Sequence, residues 1–151
     1  MDYILSTPHN NYLCTTIVYP MKPDITTSED VQLLINSFYD TVRQDELIGY
    51  IFNDIIGADW SHHLPVMYRF WESVLFSKPG YSGNPIGVHI GVDKRIPLQK
   101  AHFDRWLLHW NATVDALFAG ETADQAKNRA MLMANLINIK VDMSHQPGFL
   151  A

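Results

Sequence analysis

The most informative part of the sequence reads Gly83-Asn84-Pro85-Ile86-Gly87-Val88-His89-Ile90. After a charged loop, it leads into a long apolar helix that opens with Phe103-Asp104-Arg105-Trp106. Its first part is predicted to be a short helical turn that carries one histidine among aliphatic residues. A polar ring in apolar surroundings needs a hydrogen-bond partner or a ligand, because burying it unsatisfied costs free energy. His89 is therefore the first candidate functional residue.

Upstream of this stretch, apolar residues repeat with the period of an α-helix. Thr26 and Glu29 have the spacing of a capping box, which predicts that the first helix starts there. Residues 47–52 predict a short helical piece, and Asn53 and Asp54 predict a break after it. The apolar stripe of the first helix consists of Val31, Leu34, Ile35, Phe38, Tyr39 and Val42.

The next helix is predicted from Asp59, as its N-cap residue, to about Phe76. Each residue turns an α-helix by about 100°, so residues three and four apart share a face. His63 is therefore predicted to point toward the protein interior, and it lies on a different element from His89. The inward face carries Trp60, His63, Met67, Phe70 and Val74, with Trp71 at its edge.

Two further helices are predicted after the charged loop. Pro97 suits the first turn of one of them and Gly120 suits its C-terminal cap. Its stripe is Phe103, Trp106, Trp110, Val114 and Leu117. The last helix is predicted from Thr122, with a buried stripe of Leu132, Leu136, Ile139 and Met143. Since hairpin turn pairs and alternating strands are missing, the fold class predicted is all-α.

The length of 151 residues predicts one compact domain. Residues 1–25 contain three prolines and show no clean period, so we predict an N-terminal extension there. The helical domain is predicted over residues 26–146 and a C-terminal tail over 147–151.

Composition excludes several classes of function. The formal net charge is −5, and the lysines and arginines are scattered singly, so we expect no nucleic-acid partner. The sequence contains no run of about 18 consecutive apolar residues, so we predict no membrane span. The first residues lack the pattern of a secretory signal, and the one cysteine, Cys14, cannot form an internal disulfide. These features predict a cytoplasmic protein.

The familiar sequence motifs of nucleotide-binding, zinc-protease, hydrolase and thiol-redox sites are missing from the sequence. His62 and His63 are neighbours on a helix and point about 100° apart, so one ion cannot easily bind both. His102 and His109 lie near the edge of their helical stripe, where we predict partly exposed, structural roles. Two inward histidines therefore remain, and they come from different elements.

One inward histidine is ordinarily a core residue, but here two accompany an unusual amount of aromatic bulk. A small helical core needs fewer large rings than this chain supplies. We therefore expect a large, flat, apolar ligand between the helices. The bulky residues expected around it are Phe38, Tyr39, Phe52, Met67, Phe70, Trp71, Phe103 and Trp106.

Several motifs of this chain together resemble the group III truncated haemoglobins, over residues 28–143. They are Phe38-Tyr39, Tyr50-Ile51-Phe52-Asn53, Trp60-x-x-His63 with Phe70-Trp71, Tyr81-x-Gly83-Asn84-Pro85 leading to His89, and Phe103-Asp104-x-Trp106. The resemblance implies a two-over-two helical sandwich around haem b, with His89 as the proximal iron ligand. It implies haem contacts by Phe38, Tyr39, Phe52, His63, Met67, Phe70, Trp71, His89, Phe103 and Trp106.

The resemblance also places Tyr39, His63 and Trp106 around a gas bound on the distal side. The implied function is binding of oxygen, nitric oxide or carbon monoxide, for transport or sensing. The implied enzymatic activities are nitric oxide dioxygenase, which would need an electron-donating reductase as a partner, and a peroxidase-like activity. Whether His63 hydrogen-bonds the gas, gates the pocket or ligates iron stays open. The alternative function is a cofactor-free helical scaffold that binds a partner through its aromatic groove.

Overall fold

The computed structural model describes residues 21–57 and 59–148. This part of the chain holds six α-helices and no strand, which confirms the all-α prediction. Cys14 and residues 1–20 of the predicted extension lie outside the described residues. The helices are α1 Ser28–Val42, α2 Gly49–Ile56, α3 Trp60–Phe76, α4 Pro85–Asp93, α5 Lys100–Leu117 and α6 Glu121–Ser144.

The long helices form two layers of two. Helix α1 packs against α3 in one layer, and α5 packs against α6 in the other. The layers meet where α1 contacts α5 and where α3 contacts α6, while α4 packs on α6. This arrangement confirms the two-over-two sandwich and sets the His89 helix apart from the layer of α1 and α3.

Helix α1 starts one residue later than its predicted capping box. Thr27, not Thr26, is the N-cap residue, and its side chain accepts a hydrogen bond from the Asp30 backbone N–H at 3.2 Å. The Asp30 carboxylate accepts in return from the Thr27 backbone N–H at 2.9 Å. The box thus uses Asp30 and not Glu29. The six residues of the predicted stripe are all buried.

The sequence predicted a break at Asn53 and Asp54. Helix α2 instead continues through both residues to Ile56. The Asn53 side chain donates to the Arg43 carbonyl at 3.2 Å, so its amide does not compete for the helix backbone. The helix ends at Gly57, whose φ of 60° is open to glycine at low cost.

Helix α3 has the predicted bounds, although its N-cap residue Asp59 makes no side-chain hydrogen bond to the helix. Helix α5 starts at Lys100, so Pro97 lies in the preceding loop and not in its first turn. Gly120 caps the start of α6 and not the end of α5. Its φ is 148°, and a Cβ there would lie 2.4 Å from Asp24 Cγ.

The predicted buried stripe of α6 is wrong. Leu132 is 58% exposed and Ile139 is 55% exposed, and Leu136 and Met143 are exposed as well. The opposite face is buried because its alanines let α6 approach the neighbouring helices closely. The buried residues of α6 are Ala123, Ala126, Ala130, Ala134, Ile137 and Val141.

The last residues of the predicted extension pack on the helices. Ile25 is fully buried, and the Pro23 carbonyl accepts a hydrogen bond from the Ala119 N–H at 2.9 Å. The Asp24 carboxylate accepts from the N–H groups of Thr122 and Ala123 at the start of α6, where helix N–H groups lack partners. Residues 23–25 therefore hold the α5–α6 corner.

Candidate haem site

The helix that carries His89 begins with a tightly built cap. The Asn84 side chain accepts from the Gly87 N–H at 2.9 Å, and Pro85 occupies the first turn, where its missing N–H costs nothing. A Cβ on Gly87 would lie 2.6 Å from Asn84 Nδ2, so the cap depends on glycine there. The cap sets where His89 falls, one turn further along.

The His89 ring is held by a backbone group. Its Nδ1 lies 2.7 Å from the Pro85 carbonyl oxygen. A carbonyl only accepts hydrogen bonds, so Nδ1 must carry the proton and the neutral ring keeps its lone pair on Nε2. Burial lowers the pKa of His89, although the bond to Pro85 opposes that change. The ring is therefore neutral at pH 7 and has one nitrogen free to bind a metal.

The residues before this helix pack against α3. The Tyr81 ring lies edge-on to Phe70, with ring centroids 4.9 Å apart. A Cβ on Gly83 would lie 2.4 Å from the Tyr81 hydroxyl oxygen. Tyr81 thus ties the His89 helix to the α3 face that carries His63, a role that its sequence position did not predict.

Tyr39 and His63 form a hydrogen-bonded pair. The Tyr39 hydroxyl lies 3.1 Å from His63 Nε2. Burial raises the pKa of Tyr39, so the phenol keeps its proton. Burial, and to a smaller extent the adjacent His62, lowers the pKa of His63. At pH 7 the pair therefore consists of two neutral groups, and either can donate to the other.

Trp60 packs beside the Tyr39–His63 pair, although its sequence position did not predict a place in the site. Its ring centroid lies 5.2 Å from that of Tyr39 and 5.7 Å from that of His63. The Arg43 guanidinium stacks over it at 4.7 Å from the centroid, a cation–π geometry. The spacing of three residues between Trp60 and His63 on one helix is the signal that predicted their shared face.

Three indoles form a row through the α1–α5 side of the core. Trp71 stacks on Trp110 with centroids 4.1 Å apart, and Trp110 stacks on Trp106 at 5.5 Å. Phe38 packs edge-on against both Trp106 and Trp110. Trp110 donates to the Ala126 carbonyl at 3.2 Å, which fixes the row against α6.

The predicted site residues fall into two separate groups. The aromatic cluster, as we name it, is the core around Phe38, Tyr39, Phe70, Trp71 and Trp110, with Phe52, Trp60, Met67 and Trp106 packed on it. The aliphatic cluster consists of Ile51, Ile90, Leu98, Ile137 and Val141, with Ile86 and Phe103 packed on it. His63 adjoins the aromatic cluster through Tyr39, whereas His89 lies on the helix of Ile86 and Ile90.

The side chains present fit haem. A neutral imidazole with a free Nε2 suits haem iron, and its other nitrogen is oriented by a carbonyl, as in many metal sites. Two apolar clusters supply walls from different elements. In the described part of the chain, no three His, Cys, Asp or Glu side chains group to hold a metal ion by themselves.

His102 and His109 have the structural roles predicted for them. His102 Nδ1 accepts from the Gln99 N–H at 3.1 Å, at the start of α5. The His109 Nε2 lies 2.6 Å from a carboxylate oxygen of Asp45, a residue with no predicted role. Nothing in the sequence pattern indicated this pair, since its members are 64 positions apart.

Comparison with known proteins shows the family to which the chain belongs. Residues 24–145 match the model of the bacterial-like globin family. The chain is 27% identical, over 76% of its length, to group 3 truncated hemoglobin ctb of Campylobacter jejuni, of which it covers 91%. The crystal structure of group III truncated hemoglobin from Campylobacter jejuni superposes with a TM-score of 0.72 at 26% identity, covering 86% of this chain and 100% of that one. The chain therefore belongs to the bacterial-like globin family, and the predicted resemblance to group III truncated haemoglobins is confirmed.

Proposed function

We propose that this protein binds haem b through His89 and binds a diatomic gas between the haem and Tyr39. Membership of a globin family supports haem-based ligand binding in general. The observation that carries the specific proposal is the 2.7 Å contact between His89 Nδ1 and the Pro85 carbonyl. It fixes the tautomer in which Nε2 can bind iron, and burial keeps that ring neutral.

Haem, when bound, supplies an iron with an open coordination position at which oxygen, nitric oxide or carbon monoxide binds. Tyr39 is the hydrogen-bond donor that we propose for the gas. If His63 donates its Nε2 proton to the Tyr39 oxygen, the phenol O–H is free to point at the ligand. A buried donor favours oxygen over carbon monoxide, because oxygen gains more negative charge on binding.

The other residues shape the pocket. Trp106 is a second proposed donor, because its indole N–H can only donate. The rings of the aromatic cluster exclude water, which strengthens any hydrogen bond made to the gas. We propose contact with the haem, and no chemistry, for Phe38, Phe52, Met67, Phe70, Trp71 and Phe103.

A reaction with nitric oxide is compatible with the same pocket. Nitric oxide, oxygen and one electron together give nitrate, so turnover requires a reductase that supplies the electron. Residues that hold oxygen in place, here Tyr39 and His63, would slow its escape until nitric oxide arrives. Nitrate formation in the presence of a reductant, lost in Tyr39→Phe, is the expected result.

An absorption spectrum tests the haem proposal. Protein purified from haem-supplied cells is expected to show a Soret band, and protein without haem is expected to take up haemin in a one-to-one titration. Failure of both would reject the proposal and leave the cofactor-free scaffold. None of the six helices described combines the length and the apolar composition that a membrane span requires. The cytoplasmic location and a role in oxygen transport stay predictions from the sequence.

A further inference from the structure

A buried carboxylate holds the corner between α1 and α2. The Asp45 side chain is 3% exposed. Its Oδ1 accepts from the N–H groups of Leu47 and Ile48, at 2.9 and 3.0 Å. Its Oδ2 accepts from Arg105 Nε at 2.8 Å and lies 2.6 Å from His109 Nε2. One carboxylate thus receives four hydrogen bonds, two from the α1–α2 turn and two from α5, which is close to its full capacity.

This carboxylate connects the helices that carry the proposed gas donors. Arg105 and His109 flank Trp106 on α5, and the Asp45 carbonyl accepts from the Gly49 N–H at the start of α2. Tyr39 lies on α1, just before the corner. Displacing Asp45 would therefore remove the polar link between α5 and the α1–α2 corner and leave only the apolar contacts of α1 with α5.

A second buried carboxylate holds the helix of His89 in the same manner. Asp93 is 7% exposed. Its Oδ1 accepts from the Leu98 N–H at 2.8 Å, and its Oδ2 lies 2.7 Å from His145 Nε2. Asp93 is four residues after His89, so both residues share one face of α4. The pair thereby ties the C-terminal end of α4 to the residues that follow α6.

We propose that Asp45 and Asp93 are positioning residues, each for one side of the haem pocket. Asp45, with Arg105 and His109, fixes the spacing between Tyr39 and Trp106. Asp93, with His145, fixes the helix that carries His89. This proposal rests on the proposed function, since it concerns the same pocket, and neither aspartate touches the gas or the iron.

The hydrogen bonds at Asp45 are strong enough to set geometry. Burial alone would raise the pKa of Asp45, but the bonds from His109, Arg105, Ile48 and Leu47 outweigh it and hold the pKa well below its usual value. The carboxylate is therefore ionised at neutral pH. Hydrogen bonds to an ionised acceptor are shorter and stronger than neutral ones. Such bonds restrict sliding of α5 along the corner.

The test compares Asp45→Asn, Asp93→Asn and Asp24→Asn in the haem-bound protein. Asp24 is the matched control, because it also accepts several backbone hydrogen bonds but lies at the α5–α6 corner. Two vibrations are measured: the C–O stretch of the carbon monoxide complex, which reports donors near the gas, and the iron–histidine stretch, which reports the His89 side.

We expect Asp45→Asn to move the C–O stretch and raise the oxygen dissociation rate about threefold to tenfold, as residues coupled to a site without touching it can do. We expect Asp93→Asn to move the iron–histidine stretch and leave the C–O stretch in place. Asp24→Asn is expected to leave both vibrations unchanged.

Wild-type protein that binds no haem would defeat the proposed function. Haem-bound variants in which Asp45→Asn and Asp93→Asn move the same vibration, or neither, would overturn the positioning proposal alone. Circular dichroism verifies the fold of each variant. If an aspartate variant does not fold, His109→Gln and His145→Gln replace it, and the same separation of the two vibrations is required of them.

Discussion

The two inward histidines of this protein are held in different ways. His63, beside the aromatic cluster, meets a side chain, the Tyr39 hydroxyl, at 3.1 Å. His89, on the helix that joins the aliphatic cluster, meets a backbone carbonyl at 2.7 Å. A hydroxyl can donate or accept, whereas a carbonyl can only accept. The His63 pair can therefore reverse its hydrogen bond, but the tautomer of His89 is fixed.

This difference matches two different tasks. A metal ligand needs one nitrogen that is always free, and a backbone partner guarantees it without depending on another rotamer. A residue near a gas benefits from a partner that can release a donor when the gas arrives. In the pocket that we propose, the aromatic cluster would form the adjustable side and the aliphatic cluster the fixed side.

The largest effect is expected on the fixed side. His89→Gly removes the only nitrogen proposed to bind iron, so stable haem retention should be lost and should return when imidazole is added. Absorption spectra before and after gel filtration measure this. His62→Gly is the control, because it places the same residue in a helix at an exposed position. A normal five-coordinate ferrous spectrum of His89→Gly without imidazole would refute the assignment.

The second largest effect is expected when the packing of α6 on the aliphatic cluster is disrupted. Ile137→Ala removes a buried side chain and should lower the free energy of unfolding by about 2–5 kcal/mol. Ile139→Ala, two residues away on the exposed face, should change it by less than about 0.5 kcal/mol. Urea unfolding of the haem-free variants measures both. Equal losses would show that α6 also buries its outer face in solution.

The Tyr39→Phe variant tests the hydrogen bond that we propose on the adjustable side of the pocket. Loss of one hydrogen bond of about 1.4 kcal/mol should raise the oxygen dissociation rate roughly tenfold. Tyr50→Phe is the control, since this exposed tyrosine makes no side-chain hydrogen bond among the described residues. Stopped-flow mixing with carbon monoxide measures the rate. A rate equal to that of Tyr50→Phe would exclude Tyr39 as the donor.

The smallest effect is expected in the pH dependence of the free energy of unfolding. Folding lowers the pKa of both His63 and His89, chiefly by burial. As the pH falls below about 6.5, the unfolded imidazoles take up protons before the folded ones do, so the free energy of unfolding should decrease. Urea unfolding of haem-free protein between pH 7 and pH 5 measures the slope. His63→Gln and His89→Gln should each flatten it, and an unchanged slope in both would contradict the burial of these rings.

The helical period of the apolar residues predicted where the helices lie in the chain better than it predicted which of their faces are buried. The stripe of α1 was correct because its large apolar residues, apart from the half-exposed Leu33, occupy one face. The stripe of α6 was wrong because most of its large apolar residues lie opposite the face that its alanines form with Ile137 and Val141, and close helix packing favours the smaller side chains. Similarly, Gly120 is compatible with either helix end, and only the position of Asp24 decides between them.

Helical period and local caps depend on near neighbours in the chain, so the residues themselves predict the all-α fold, the six buried residues of α1 and the two inward histidines. The packing of the helices establishes which face of α6 is buried, which partner each histidine meets, and that Asp45 joins His109 across 64 positions. The physical reason is that burial and hydrogen bonding between distant residues depend on how the helices pack. The spacing of residues within one helix does not specify that packing.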